Sequence, residues 1–187
     1  MGMWWRGEVT IPTAPELAIV LRQHGWAVPA GLHVVLCRNR AGKVDAFDDM
    51  VCIVRGDAEI VHAARCTTDP GKGPRMDPKN SAGCAVWAVS QVADGLGFGK
   101  HHGAYECLVP VKPIPVLRYD SLTDTTGTPS TSMTTQVHRA SADHESAVVG
   151  VWSEGCSVYA NPGDFATAMG LLRASGQGRF TVSLVER

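Results

Sequence analysis

Residues 136–165 read QVHRASADHESAVVGVWSEGCSVYANPGDF, and this stretch decides much of the predicted fold. Its first residues complete an apolar–polar alternation over 134–138, which is typical of a half-buried strand. A polar segment follows, and a second apolar run over 156–160 predicts a shorter strand. Asn161-Pro162-Gly163-Asp164 has the residue types of a helix start, and we expect this helix to run to about Ala174. The order predicted here is strand, loop, strand and helix.

The rest of the chain carries mainly strand signals. Thr13 and Glu16 have capping-box spacing, and apolar residues recur at helical spacing behind them, which predicts a helix over 14–24. Prolines within 105–111 and 115–119 indicate edge strands. No repeat or linker is visible, so we expect a single domain over 1–187, mostly β and of the α+β class, with two or three short helices. The remaining predictions are strands at 32–37, 44–47, 50–55, 58–64, 85–92, 105–111, 115–119 and 179–186, and loops at 67–81 and 120–132. For 85–92 a short helix is the alternative to the favoured strand.

Cys156 and His138 form the candidate catalytic pair. A thiol becomes a good nucleophile when a base or a positive dipole assists its deprotonation, and the strand over 134–138 delivers a histidine. Gly155 lets a substrate carbonyl approach closely and leaves backbone N–H groups to hold an oxyanion. The alternative is that Cys156 is a buried structural cysteine. We expect that structural role for Cys37, Cys52, Cys66 and Cys107, which lie in or beside apolar runs.

The order His138, RASADHESAVVGVW, Ser153-Glu154-Gly155-Cys156 resembles the catalytic motif of the L,D-transpeptidase catalytic-domain family. In that family a histidine is followed, after a similar segment, by Ser/Thr-His-Gly-Cys. The resemblance covers 132–186. A weaker one, to phage-encoded endolysin-like members, reaches back to Thr67 through TTDPG (67–71) and GKHHGAYECL (99–108). The resemblance to the L,D-transpeptidase catalytic domain implies a β-rich sandwich with Cys156 as nucleophile, His138 as base, and Ser153 supporting the loop or the reacting carbonyl.

The resemblance also implies a function. It indicates a cysteine-dependent peptidase that cuts peptidoglycan stem peptides at L,D bonds through a thioester, as a phage lysis enzyme. An L,D-transpeptidase that forms cross-links is the alternative within the family. Glu154 stands where the family has a second histidine, and Val158 where it often has arginine or asparagine, which favours hydrolysis. A non-catalytic phage structural or cell-wall-binding module is the rival hypothesis.

Three further residues are candidates for the site. The pattern GxHxGxY of phage members places His101 at the substrate cleft, whereas the alternative is a solvated polar loop. Arg139 can bind a substrate carboxylate in a bidentate manner. Residues 80–84 repeat Ser-x-Gly-Cys, so Cys84 is an alternative nucleophile. Its separation from His62 favours instead a turn that leads into a strand.

Composition excludes several classes of protein and partner. The net charge of −1 gives no basic surface for nucleic acid, and no apolar run approaches the ~20 residues of a membrane span. Six cysteines without a C-x-x-C pair argue against a structural zinc site, and no metal or other cofactor is expected. The N-terminal residues lack a secretion signal. We therefore expect synthesis in the cytoplasm, release through a membrane-pore protein, and action on the cell wall in the periplasm.

Overall fold

A computed structural model describes residues 11–187 and places them in eleven strands and three helices. The predicted mostly β, α+β fold with two or three short helices is confirmed. In chain order the elements are α1 (Ala14–Gln23), β1 (Leu32–Arg38), β2 (Asp49–Arg55), β3 (Glu59–Thr67), α2 (Lys72–Met76), β4 (Cys84–Trp87), β5 (Ser90–His101), β6 (Tyr105–Pro110), β7 (Ile114–Tyr119), β8 (Thr128–Ser132), β9 (Val137–Arg139), β10 (Ser157–Tyr159), α3 (Pro162–Ala174) and β11 (Arg179–Glu186).

The strands form two sheets, and the larger one closes on itself. Its eight strands run in the order β1-β11-β5-β6-β9-β10-β3-β2 around a barrel. Two pairings, β1 with β11 and β9 with β10, are parallel, and the others are antiparallel. The remaining strands form a three-stranded sheet in the order β4-β7-β8. The β-rich sandwich that the resemblance implied is therefore not what the structure has: the larger sheet is a closed barrel, and the smaller sheet lies beside it.

Strand β1 is buried on both faces, which explains its continuous apolar run. Val34 and Leu36 belong to the main core cluster inside the barrel, while Val35 and Cys37 pack in a second cluster with Leu17 of α1. The helix covers the outside of the barrel at this point with its apolar stripe, as its spacing predicted. Burying each such aliphatic side chain contributes roughly 1.5–3 kcal/mol.

All six cysteines are free thiols. The prediction of a buried structural role is confirmed for Cys37, Cys52, Cys66 and Cys107, each of which is at most 1% exposed. Cys84 is also buried, whereas Cys156 is partly exposed. Cys156 is therefore the thiol that differs in environment from the other five.

The strand predicted over 44–47 is wrong, because this segment is a turn. Asp45 adopts a left-handed backbone conformation with φ of 70°. Its carboxylate accepts hydrogen bonds from the N–H of Gly150 at 2.6 Å and from the N–H of Lys72 at 3.3 Å. The segment thus connects the loop before Cys156 to the start of α2 instead of pairing with a strand.

Three other expectations also need correction. The loop predicted over 67–81 contains α2, and the loop predicted over 120–132 ends in β8. The single strand predicted over 85–92 is two strands, β4 and the first part of β5, which continues to His101. The edge positions expected for β6 and β7 are wrong, since β6 lies between β5 and β9 and β7 between β4 and β8. Pro110 ends β6 and Pro115 is the second residue of β7, so both prolines stand near strand ends, where a missing N–H interrupts few ladder bonds.

The expectation for the first ten residues lies outside the described part of the chain. Within residues 11–187, no helix combines the length and apolar character that crossing a membrane requires.

Candidate active site

A cavity of about 870 Å³ lies between the barrel and the three-stranded sheet. The ends of β5 and β9 and the turn before β10 form one wall, and β4 and β7 contribute to the other. The functional groups that face it include His101, Gln136, His138 and Cys156 on the barrel side, and Cys84 and Arg118 on the small sheet.

The parallel pairing of β9 with β10 brings the predicted catalytic pair into this cavity. Val158 lies beside His138 in the register, and the N–H of Ser157 donates to the Gln136 carbonyl at 2.8 Å. Cys156 therefore lies just before β10, next to Gln136, whose N–H donates to the Cys156 Sγ at 3.3 Å. A hydrogen bond donated to sulfur stabilises negative charge there, so it assists thiolate formation.

The turn before Cys156 is fixed by Ser153, which is fully buried and does not line the cavity. Its hydroxyl accepts from the Gly155 N–H at 3.2 Å and donates to the Cys156 carbonyl at 2.8 Å. Gly155 has φ of 130°, and a Cβ there would lie 2.7 Å from the Ala85 carbonyl oxygen of β4. Glycine thus allows this turn to touch the small sheet. Because the Gly155 N–H is engaged, the N–H of Cys156 is the candidate oxyanion donor.

His138 is only 2% exposed and is oriented by a backbone acceptor. Its Nδ1 lies 2.8 Å from the Arg139 carbonyl oxygen, which can only accept, so the proton is assigned to Nδ1. The Tyr105 hydroxyl donates to the same carbonyl at 3.1 Å. This arrangement leaves Nε2 as the basic nitrogen of His138.

The surroundings of His138 keep it neutral. Burial is the main cause that lowers the pKa of His138 to about 4; the neighbouring His101 and His102 also lower it, and the hydrogen bond to the Arg139 carbonyl acts in the opposite direction. His101 stacks on His138 with the ring centroids 4.0 Å apart and the planes 22° apart. The His101 Nδ1 also lies 2.6 Å from Gln136 Oε1. A base that is unprotonated at neutral pH is ready to accept a proton.

The Cys156 thiol is also neutral at rest. Burial raises the pKa of Cys156 to about 11, with the Gln136 hydrogen bond lowering it and the charge of Glu154 raising it. No hydrogen bond joins the side chains of Cys156 and His138 within residues 11–187. Both side chains nevertheless face one cavity. The arrangement suits general-base assistance, in which proton transfer accompanies attack, better than a preformed thiolate–imidazolium pair.

The two predicted substrate-binding residues differ in position. His101 lines the cavity beside His138. Arg139 does not line it. The Arg139 guanidinium instead lies over the Tyr105 ring, with Cζ 4.3 Å from the ring centroid, and its Nη1 is 3.5 Å from the Ser141 carbonyl.

The alternative nucleophile, Cys84, lies in the same cavity. The predicted turn leading into a strand is confirmed, since Gly83 has φ of 94° and Cys84 begins β4. The Cys84 thiol donates to the Glu154 carbonyl at 3.7 Å, and burial raises the pKa of Cys84 to about 11. The two Ser-x-Gly-Cys segments are far apart in sequence, so their proximity in the structure was not predicted.

Sequence reasoning missed other residues of the cavity. Gln136 contacts both Cys156 and His101, and its place two residues before His138 in an alternating run was the available signal. Lys79 forms an ion pair with Glu154 across the cavity, and Arg118 reaches it from β7. No pattern in the sequence marked these two cations. Met133, Val151 and Trp152 add exposed apolar surface to the wall.

No group of three or more histidine, cysteine, aspartate or glutamate side chains within residues 11–187 is arranged to hold a metal ion. A scan against protein-family models, a search of curated proteins and a search of solved structures each return no match.

Proposed function

We propose that this protein is a cysteine-dependent peptidase that hydrolyses L,D bonds in peptidoglycan stem peptides, as phage lysis enzymes do. Its nucleophile is Cys156 and its general base is His138. One observation carries the chemistry: the parallel pairing of β9 with β10 puts this thiol and this imidazole in the wall of one cavity. The substrate class comes from the resemblance of the motif around them to the L,D-transpeptidase catalytic domain.

The first half of the reaction forms a thioester. The Cys156 Sγ attacks the carbonyl carbon on the L-centre of the diamino acid while its proton passes to His138 Nε2. The oxyanion is held by the Cys156 N–H, and its collapse breaks the C–N bond. The leaving amine takes the proton from His138, which returns the imidazole to its neutral form, and the acyl group remains on sulfur as the thioester.

The acceptor decides between the two activities. Water, deprotonated by His138, cleaves the thioester to a free acid and restores the thiol. An amine from a second stem gives a cross-link instead. We favour water because Glu154 and Val158 occupy the positions where the family has substrate-holding side chains.

Purified muropeptides of defined stem length, incubated with the protein and analysed by mass spectrometry, test this proposal. We expect loss of the D-amino acid after the diamino acid with wild type and with Cys84→Ala, and no product with Cys156→Ala. New cross-linked dimers would identify the transpeptidase. Binding of muropeptides without any product would identify the non-catalytic cell-wall-binding module.

Selective labelling of the cysteines tests independently whether the protein is a peptidase or a non-catalytic cell-wall-binding module. The buried cysteines should react slowly, whereas Cys156 is partly exposed and receives a hydrogen bond at its sulfur. We expect a small alkylating reagent to modify Cys156 first near neutral pH, and more slowly in His138→Ala. Equal labelling rates in both proteins would favour the non-catalytic module.

A further inference from the structure

Arg118 is the one charged residue of the cavity wall with no acidic partner among residues 11–187. The other two charged side chains in the wall, Lys79 and Glu154, form an ion pair with each other. The Arg118 Nη1 donates to the Gly83 carbonyl at 3.1 Å, which is a neutral acceptor. A guanidinium carries five N–H donors, so this contact leaves most of them for a ligand. The cavity therefore contains an uncompensated positive charge.

The position of Arg118 is well defined. It lies on β7, the middle strand of the small sheet, paired with Ala85 of β4 on one side and Thr128 of β8 on the other. The side chain is half-buried, and its hydrogen bond to Gly83 holds the guanidinium beside the start of β4. Across the same cavity lie Cys156 and His138. A fixed guanidinium opposite a reactive centre is suited to orient a substrate rather than to attract it at long range.

We propose that Arg118 binds a carboxylate of the substrate and so positions the scissile carbonyl at Cys156. This inference rests on the proposed function. It assigns to Arg118 the role that the sequence suggested for Arg139, whose guanidinium packs on Tyr105 outside the cavity wall. Stem peptides offer two carboxylates near the L,D bond: the C-terminal one of the departing D-amino acid and the one at the D-centre of the diamino acid. Both have the planar shape that guanidinium binds in a bidentate manner.

The test compares four synthetic stem tetrapeptides, in which each of the two carboxylates is either free or converted to the amide. Wild type should process the peptide with the relevant free carboxylate with a KM roughly 10–100-fold lower than its amide. Arg118→Gln should lose that preference and process acid and amide equally. Arg118→Lys should restore part of it, since lysine keeps the charge without the fork geometry. The amide that loses affinity in wild type identifies which carboxylate is bound.

Arg179→Gln is the matched control, because Arg179 is an exposed arginine at the start of β11 that does not line the cavity. This variant should retain the wild-type preference. Equal turnover of all four peptides by wild type would overturn the role of Arg118 while leaving the peptidase intact. Loss of the preference in Arg139→Gln rather than in Arg118→Gln would also overturn it.

Calorimetric titration of Cys156→Ala with the same four peptides separates this inference from the proposed function. One outcome is that Cys156→Ala binds the acid more tightly than the amide, that the double variant with Arg118→Gln does not, and that wild type yields no product. This outcome would support the carboxylate site and refute the peptidase. Absence of both binding and turnover, with the fold checked by circular dichroism, would refute both.

Discussion

The His138 imidazole has its Nδ1 proton directed at the Arg139 carbonyl and its ring stacked on His101, so adding a second proton there is unfavourable. Burial, the largest cause, lowers the pKa of His138 to about 4. The base therefore remains unprotonated through the whole mildly acidic range. The enzyme proposed here should be active at pH values where an ordinary histidine base would already be protonated.

His138→Ala should reduce kcat/KM by roughly 10²–10⁴-fold, because general-base assistance typically supplies that factor. In wild type the rate should fall on the acid side near pH 4, and this limb should be absent from the variant. The measurement is the pH dependence of kcat/KM on a stem peptide between pH 3 and pH 8. His144→Ala is the control, since His144 is exposed in the loop between β9 and β10 and does not line the cavity. An acid limb near the ordinary histidine value would contradict this assignment.

At the scale of elements, the turn of residues 153–156 is where the barrel meets the small sheet. Its geometry requires a residue without a Cβ, since Gly155 has φ of 130° and a Cβ would approach the Ala85 carbonyl oxygen to 2.7 Å. A side chain at this position would strain the backbone and push β4 away from the turn. The same movement would displace Cys156 from Gln136, whose N–H contacts the sulfur.

Gly155→Ala should therefore lower the free energy of unfolding by roughly 1–3 kcal/mol and reduce activity together with it. Urea unfolding followed by circular dichroism measures the first effect. Gly170→Ala gives the opposite expectation: Gly170 lies exposed in α3 with open space around it, so alanine should stabilise the protein by about 0.5–1 kcal/mol. A Gly155→Ala variant as stable and active as wild type would show that the turn adapts.

Apolar patterning predicted the elements that are buried on both faces and those whose buried residues recur at regular spacing. Strands β1, β2 and β11, helix α1 and the β9–β10–α3 region were located this way, close to their observed bounds. Strand β8 escaped because its Thr/Ser residues are almost all exposed and lack alternation. Strand β5 was cut short because three glycines from its middle onward, at 95, 97 and 99, resemble a loop. The turn at Asp45 depends on hydrogen bonds to distant backbone groups, which a local pattern does not contain.

The site was predictable in part for a similar reason. The placement of Cys156 and His138 in one cavity was predictable because β9 and β10 are close in sequence and carry a motif. Arg118 and Cys84 enter the cavity through the small sheet, whose pairings join distant segments. The parallel pairing of β1 with β11 that closes the barrel is a contact of the same long-range kind.

At the scale of the whole molecule, two buried groups make stability depend on pH in opposite directions. Burial raises the pKa of Asp49 to about 6, despite hydrogen bonds from Asn39 and Thr68, while the pKa of His138 is about 4. Between about pH 4 and pH 6 the folded state keeps the Asp49 proton that the unfolded chain releases, so the contribution of Asp49 to the free energy of unfolding falls as pH rises. Over the same range the unfolded chain binds a His138 proton that the folded state does not, so the contribution of His138 to the free energy of unfolding rises with pH.

Removing one of the two groups should leave the pH dependence caused by the other. Relative to wild type, Asp49→Asn should make the free energy of unfolding rise more steeply with pH between 4 and 6, by up to about 1.4 kcal/mol per pH unit. His138→Gln should change the slope by a similar amount in the opposite sense. Urea unfolding at several pH values measures both slopes, and the comparison with wild type cancels the other titrating groups. Slopes that do not differ from wild type would contradict the buried, proton-excluding environment of His138.

The central claim is that Cys156, and not Cys84 in the same cavity, carries the acyl group. Trypsin separates the two thiols, since Cys156 falls in the peptide 140–173 and Cys84 in 80–100. The decisive measurement is mass spectrometry of these peptides after the protein is mixed with a stem tetrapeptide and rapidly quenched in acid. We expect a thioester adduct with the mass of the stem acyl group on 140–173 in wild type and in Cys84→Ala, and none in Cys156→Ala. An adduct on 80–100, or undiminished turnover by Cys156→Ala, would contradict the assignment.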